Sequence, residues 1–253
     1  MARQRCTVSR RAKQRVLAVA AVLVAILAAV ATVAAILTLH REFVRGAPHV
    51  PVVPVYAYPF RTGDLVLTSG HVGRGRWMPP LHASTAIKMV ARSHFNHVAI
   101  AFVDPATRRP LFWEMNGAGP ALSSLGAIMD PRRGHDVFVR ALSRPVDDDA
   151  FARIVSAQSG DRYNFGFALD VVRGRWMRRP AREPIRRAAT ACARTCPHAI
   201  AEVYAWLRVL DYGGGRGVDP AALVPADFAA DPIDPDVLPL AEGFALGPIV
   251  RLL

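Results

Sequence analysis

The sequence predicts an α+β domain preceded by one membrane-spanning helix, and three observations predict it. Residues 16–39 run without a charge. Short apolar and β-branched runs cluster in the middle of the chain, at 65–68, 98–103, 111–115 and 136–142. Helical patterns flank them, at 84–92 on one side and at 147–158 and 197–210 on the other. Strands grouped centrally between helices suggest α+β rather than alternating βα units.

The elements follow in chain order. Residues 1–15 carry six basic side chains and no acid, a basic tail expected in the cytoplasm. The uncharged run 16–39 would make a helix of about 36 Å, long enough to span a hydrocarbon core of about 30 Å with some tilt. It is longer than the apolar region of a signal peptide, and only Thr32 and Thr38 interrupt it. The basic tail precedes it and a weaker balance follows (His40, Arg41, Glu42, Arg45), so the positive-inside rule places the domain on the extracytoplasmic side. Residues 40–59, with Pro48, Pro51, Pro54 and Pro59, read as an extended tether. Residues 60–253 form one domain, large enough for its own core.

Within the domain, Thr62-Gly63-Asp64 is a turn leading into a strand at 65–68. Ser84 suits a helix N-cap. The run 98–103 reads as a buried strand, ended by Asp104-Pro105, with 111–115 as its hairpin partner. Asp147-Asp148-Asp149 places acid at a helix start and Gly160 closes that helix. The clearest helix begins at Pro197, with Ile200, Val203, Tyr204, Leu207 and Leu210 at helical spacing. Proline favours the first helical position, which makes Cys196 the expected N-cap. The Pro-rich, acidic segment from Asp219 is expected to wrap the surface.

The net charge of +12 is concentrated in the N-terminal tail and in 173–194, where eight arginines face Glu183 alone. The remainder is close to neutral, so a specific nucleic-acid partner is not expected. Only Lys13 and Lys88 are lysines, a bias toward arginine with a compositional cause. Three cysteines make no disulfide framework.

Three residues carry the candidate chemistry. Cys196 stands at a helix start, where the positive end of the helix favours thiolate over thiol. His97 opens the apolar strand, where a base can face a cleft with a rigid strand behind it. Glu114 is a lone carboxylate in Leu111-Phe112-Trp113-Glu114-Met115. Alternation puts it with Phe112, away from Trp113, and if the two strands pair it can reach and orient His97. Each has a plainer reading as a core cysteine, a solvated strand-end histidine or an exposed carboxylate. Cys192 is an alternative nucleophile, and with Cys196 it would suit a disulfide or half a metal site, though no further Cys/His cluster accompanies the pair.

The order Thr-Gly-Asp-Leu-Val-Leu, Phe-Asn-His-Val-Ala-Ile-Ala-Phe, Phe-Trp-Glu-Met, Arg-Tyr-Asn-Phe and Cys-Pro-His-Ala-Ile-Ala-Glu-Val-Tyr resembles the circularly permuted papain-like hydrolases. These belong to the NlpC-type cysteine peptidase superfamily, here the YiiX-like branch related to lecithin:retinol acyltransferase-like enzymes. The resemblance extends over residues 60–228 and includes Pro225-Ala226-Asp227-Phe228. It implies a small antiparallel sheet packed on helices, with Cys196 as nucleophile, His97 as base and Glu114 as the orienting residue. Pro197-His198 stand where the family has Ser-Glu, and Tyr163-Asn164 where it has Tyr-Asp, departures that bear on substrate handling.

The expected activity is that of a membrane-anchored thiol hydrolase or acyltransferase acting on an amide or ester through a thioester, with no cofactor. Its expected partners are membrane lipids and a peptide or lipid-linked substrate. The alternatives are a catalytically silent binding module of the same fold and a basic module acting through 173–194. Residues 170–187 mix Trp176 and Met177 with seven arginines, a composition suited to a flap on anionic lipid or to a solvated loop.

Overall fold

The structure is a computed structural model and describes residues 10–44, 48–70, 83–131, 135–164, 193–213 and 217–253. The segment 170–187, Cys192 and most of the basic tail lie outside the described residues. Helix α1 (Arg10–Leu39) continues into a wider π-turn, His40–Val44. Thr32 and Thr38 donate their hydroxyls to the carbonyls of Ala28 and Ala34 at 2.8 and 2.9 Å, so the two polar interruptions are satisfied within the helix. Leu23, Leu27 and Leu37 are exposed. The helix is long and apolar enough to cross a membrane.

The domain is built on one seven-stranded sheet. Its strands are β1 (Val52–Val53), β2 (Leu65–Gly70), β3 (His97–Val103), β4 (Pro110–Asn116), β5 (Gly119–Ser124), β6 (His135–Leu142) and, from the C-terminus, β9 (Leu246–Leu252). The spatial order is β1-β9-β6-β2-β3-β4-β5. A separate two-stranded ladder pairs β7 (Arg162–Tyr163) with β8 (Ala193–Arg194). The helices are α2 (Ala83–Ala91), α3 (Leu125–Ile128), α4 (Asp148–Ser156), α5 (Cys196–Trp206) and α6 (Pro225–Ala229).

The sheet corrects the expectation of a small antiparallel one: β1 pairs with β9 in parallel, so the sheet is mixed. The reason lies in the stretch read as a tether, where Val52 and Val53 add an edge strand after the prolines have set an extended backbone. A second correction concerns the C-terminal segment, which does not simply wrap the surface. Its strand β9 inserts between β1 and β6, and Phe228, Leu238 and Leu252 are buried. The helix from Pro197 ends at Trp206, before Leu210.

Alternation sorts the two faces. Leu65, Leu67, Val98, Ile100, Trp113, Met115 and Phe138 pack with α4 and α5 in the main core. Val66, Ala99, Ala101, Phe112, Val137 and Val139 line the other face, with Ile128 of α3. One buried cation ties the C-terminal segments down. Arg140 on β6 is 1% exposed, and its guanidinium donates to the carbonyls of Gly247 (2.7 Å), Phe228 (2.9 Å) and Ala230 (2.7 Å). A buried guanidinium with several acceptors keeps its charge at a tolerable cost.

Candidate active site

The site begins where β3 begins. Asn96 fixes the start of that strand twice: its N–H donates to the Thr68 carbonyl at 3.1 Å, and its side-chain oxygen accepts from the Gly70 N–H at 2.8 Å. Thr68 on β2 then lies opposite His97. On the other side β3 pairs with β4, Ala99 opposite Glu114, which sets Glu114 diagonally across from His97 on the same face. The diagonal is closed by a hydrogen bond of 2.7 Å between His97 Nε2 and Glu114 Oε2.

Glu114 is 5% exposed, so its second oxygen also needs a partner. Ser123 on β5 supplies one, donating its hydroxyl to Oε1 at 2.5 Å. The carboxylate is therefore gripped from both neighbouring strands, and it holds the imidazole in one orientation.

Cys196 opens α5 and is 2% exposed. It is not the N-cap. Thr195 is, its hydroxyl accepting from the His198 N–H at 3.3 Å, with the Ala199 N–H on its carbonyl at 3.0 Å. A threonine hydroxyl caps far better than a thiol, so the cap shifts one residue upstream and Pro197 takes the second helical position. The shift leaves the Cys196 sulfur free of capping duty. Tyr204, one face of α5 further on, donates its hydroxyl to the Gly63 carbonyl at 2.7 Å and so fastens the helix to the turn that opens β2.

Cys196 lies close enough to His97 to act on the charge of its ring. His97 opens its strand, and α5 packs against that strand. Burial works against a charged ring here, but the nearby Cys196 and the hydrogen bond and charge of Glu114 outweigh it and raise the His97 pKa to about 10. The shift favours the protonated ring.

Tyr163 on β7 packs against the same core and lies near enough to Cys196 that, after burial, the cysteine's charge is the next cause raising its phenol pKa. The structure thus joins His97 to Glu114 by a hydrogen bond, with Cys196 near enough to act on the ring's charge and Cys192 outside the described residues. Sequence reading missed Ser123, whose strand Gly-Pro-Ala-Leu-Ser-Ser carries turn-like composition. It also missed Thr195, although Thr followed by Pro two residues on is a recognisable helix start. Among the described residues no group of three or more His, Cys, Asp or Glu is placed to hold a metal.

No protein-family model matches the chain, and no curated protein matches it. A solved structure similar to it is that of the metalloprotein yiiX from Escherichia coli O157:H7, DUF1105, at 16% identity and a TM-score of 0.42, over 61% of this chain and 71% of that one.

Proposed function

We propose that this chain is a membrane-anchored thiol hydrolase or acyltransferase of the permuted papain-like type, acting on an amide or ester bond. The observation that carries the reading is the 2.7 Å hydrogen bond between His97 and the buried Glu114, with Cys196 at the start of α5 near enough to act on the same imidazole. A protonated imidazole beside the sulfur stabilises the thiolate, which is the nucleophilic form.

The steps follow from the positions. The Cys196 thiolate attacks the carbonyl carbon and its oxygen becomes an oxyanion. We assign stabilisation of that charge to the backbone N–H of Cys196 at the helix tip and to Tyr163, which lies near enough to Cys196 to feel its charge, while Pro197 offers no donor. As the tetrahedral intermediate collapses, His97 gives its proton to the leaving amine or alcohol, and a thioester remains on Cys196. His97 then takes a proton from water or a second acceptor, which attacks the thioester and restores the thiolate. Glu114, fixed by Ser123, keeps the ring aligned through both transfers. No step calls for a cofactor.

The substrate we propose is a peptide or lipid-linked one presented at the membrane surface, with α1 as the anchor, its N-terminus in the cytoplasm and the domain on the far side. The π-turn after α1 supports this: the Phe43 ring lies 5.8 Å from that of His94, three residues before His97. The start of the base strand thus lies at the domain-side end of the apolar helix. The burial of Cys196 favours a second reading, a silent binding module. Incubation of the full chain in detergent with p-nitrophenyl acetate, followed by mass spectrometry, separates the two. An acetyl group on Cys196, absent from His97→Ala, supports the hydrolase. An unmodified Cys196 in folded protein supports the binding module.

A further inference from the structure

Two residues before Cys196 the chain buries an arginine. Arg194 is 6% exposed and forms ion pairs with two carboxylates, Asp161 through Nη1 and Glu202 through Nε. The three residues belong to three different pieces of the site. Asp161 immediately precedes β7, the strand that carries Tyr163. Arg194 ends β8, which runs through the cap Thr195 into Cys196. Glu202 lies in α5, on the turns behind the sulfur.

The β7–β8 ladder pairs only Arg162 with Ala193 and Tyr163 with Arg194, extended by the Asn164 N–H on the Arg194 carbonyl at 2.9 Å. A ladder of this length has little stability of its own. The guanidinium supplies what the ladder lacks, since its planar fork reaches a carboxylate on each side. Glu202 is further held by His198, whose Nε2 lies 3.4 Å from Oε1. Its carboxyl is kept below the usual range, His198 and Arg194 together outweighing burial. The His198 that departs from the family's pattern thus belongs to this cluster. A buried arginine between two carboxylates costs desolvation that apolar packing would avoid, so its stability value alone does not account for it.

We propose that Arg194 is a positioning residue: by bridging Asp161 and Glu202 it locks the Tyr163 strand to the Cys196 helix and so fixes the oxyanion donor relative to the nucleophile. The proposal rests on the thiol-acyltransfer reading above. It assigns to Arg194 an effect on acyl transfer, where an oxyanion forms, and not on simple alkylation of the sulfur, where none does.

The test uses two probes on the full chain in detergent: p-nitrophenyl acetate for acylation of Cys196 and iodoacetamide for alkylation. Arg194→Gln is expected to slow acylation about 10- to 100-fold and to change alkylation less than about 3-fold, a loss of the size seen when an oxyanion donor is misplaced. Tyr163→Phe should show the same selective loss, and the double variant should lose little more than either single one, because both act on one contact. Arg194→Lys, which keeps the charge but not the fork, should fall between Arg194→Gln and wild type. A loss of acylation and alkylation in equal proportion, or additive losses in the double variant, would overturn the proposal. Should Arg194→Gln fail to fold, Tyr163→Phe and Arg194→Lys carry the comparison, and wild-type acylation in both refutes it. Absence of acylation in the wild type itself refutes the hydrolase reading instead, which keeps the two failures apart.

Discussion

The Tyr204 hydroxyl and the Gly63 carbonyl lie 141 residues apart in sequence and 2.7 Å apart in space. That bond joins the helix carrying Cys196 to the turn leading into β2, the strand that pairs with the His97 strand. Gly63 adopts a positive φ of 98°, and a side chain there would press on Leu142, so the turn is as constrained as the helix it holds. Tyr204→Phe should therefore leave a buried carbonyl without its donor and cost about 1–3 kcal/mol. Denaturant unfolding of the solubilised chain reads the loss directly.

Cys196→Ala and His97→Ala should each remove at least about 10³-fold of turnover, because either change disables the same nucleophile. Glu114→Gln should cost less, about 10- to 100-fold, since the ring loses its charged partner but keeps its own chemistry. Acylation kinetics with an activated ester give all three values. Activity surviving in Cys196→Ala and lost in Cys192→Ala would move the nucleophile to the earlier cysteine.

The alkaline side of the pH profile should report His97. Its pKa rises from the ordinary 6.5 to about 10, so the proton needed by the leaving group stays in place until pH approaches 10 and is lost above it. Glu114 is one of the groups that raise this value, so Glu114→Gln should move the alkaline limb to lower pH. A limb unmoved by that change, measured in kcat/KM from pH 6 to 11, would separate Glu114 from the titration.

Arg140→Met removes the donor from four backbone carbonyls that lie on two different segments, and it should destabilise the domain by about 3–5 kcal/mol. Thermal unfolding should show the lower Tm, and limited proteolysis should cut sooner in the C-terminal segment that those carbonyls help to hold.

Alkaline carbonate extraction should leave the full-length chain in the membrane pellet, and protease added from the cytoplasmic side should spare the domain. A mature N-terminus at the end of the apolar helix, found by sequencing, would instead mark that helix as a cleaved signal.

The sequence made the strand bearing His97 and the one bearing Glu114 readable because both carry local signals: a β-branched run for the first and a carboxylate breaking an apolar alternation for the second. Their pairing could then be anticipated from strand adjacency. Ser123 could not, because its strand carries Gly, Pro and two serines and takes its form from β4 beside it. The parallel edge strand at Val52–Val53 was hidden by the prolines around it, and β9 by the acidic, Pro-rich stretch that precedes it. The bridge from Arg194 to Asp161 and Glu202 leaves no periodic trace at all. Its members sit in three elements, and arginines are so common in this chain that one more attracts no notice.

The short pairing of β1 with β9 also decides how the domain answers a pull. A pull on the chain from α1 meets the Phe43 contact with His94 first and then β1, which is held by the Arg251 N–H on the Pro51 carbonyl, the Leu253 N–H on Val53 and the Val55 N–H on Leu253. Three strands, β9, β6 and β2, stand between that edge and the strand that begins at His97. If both attachments yield, the nine residues from Pro51 to Pro59 become a tether of about 30 Å contour length, and the strands at the far side of the sheet are untouched by the loss of that edge.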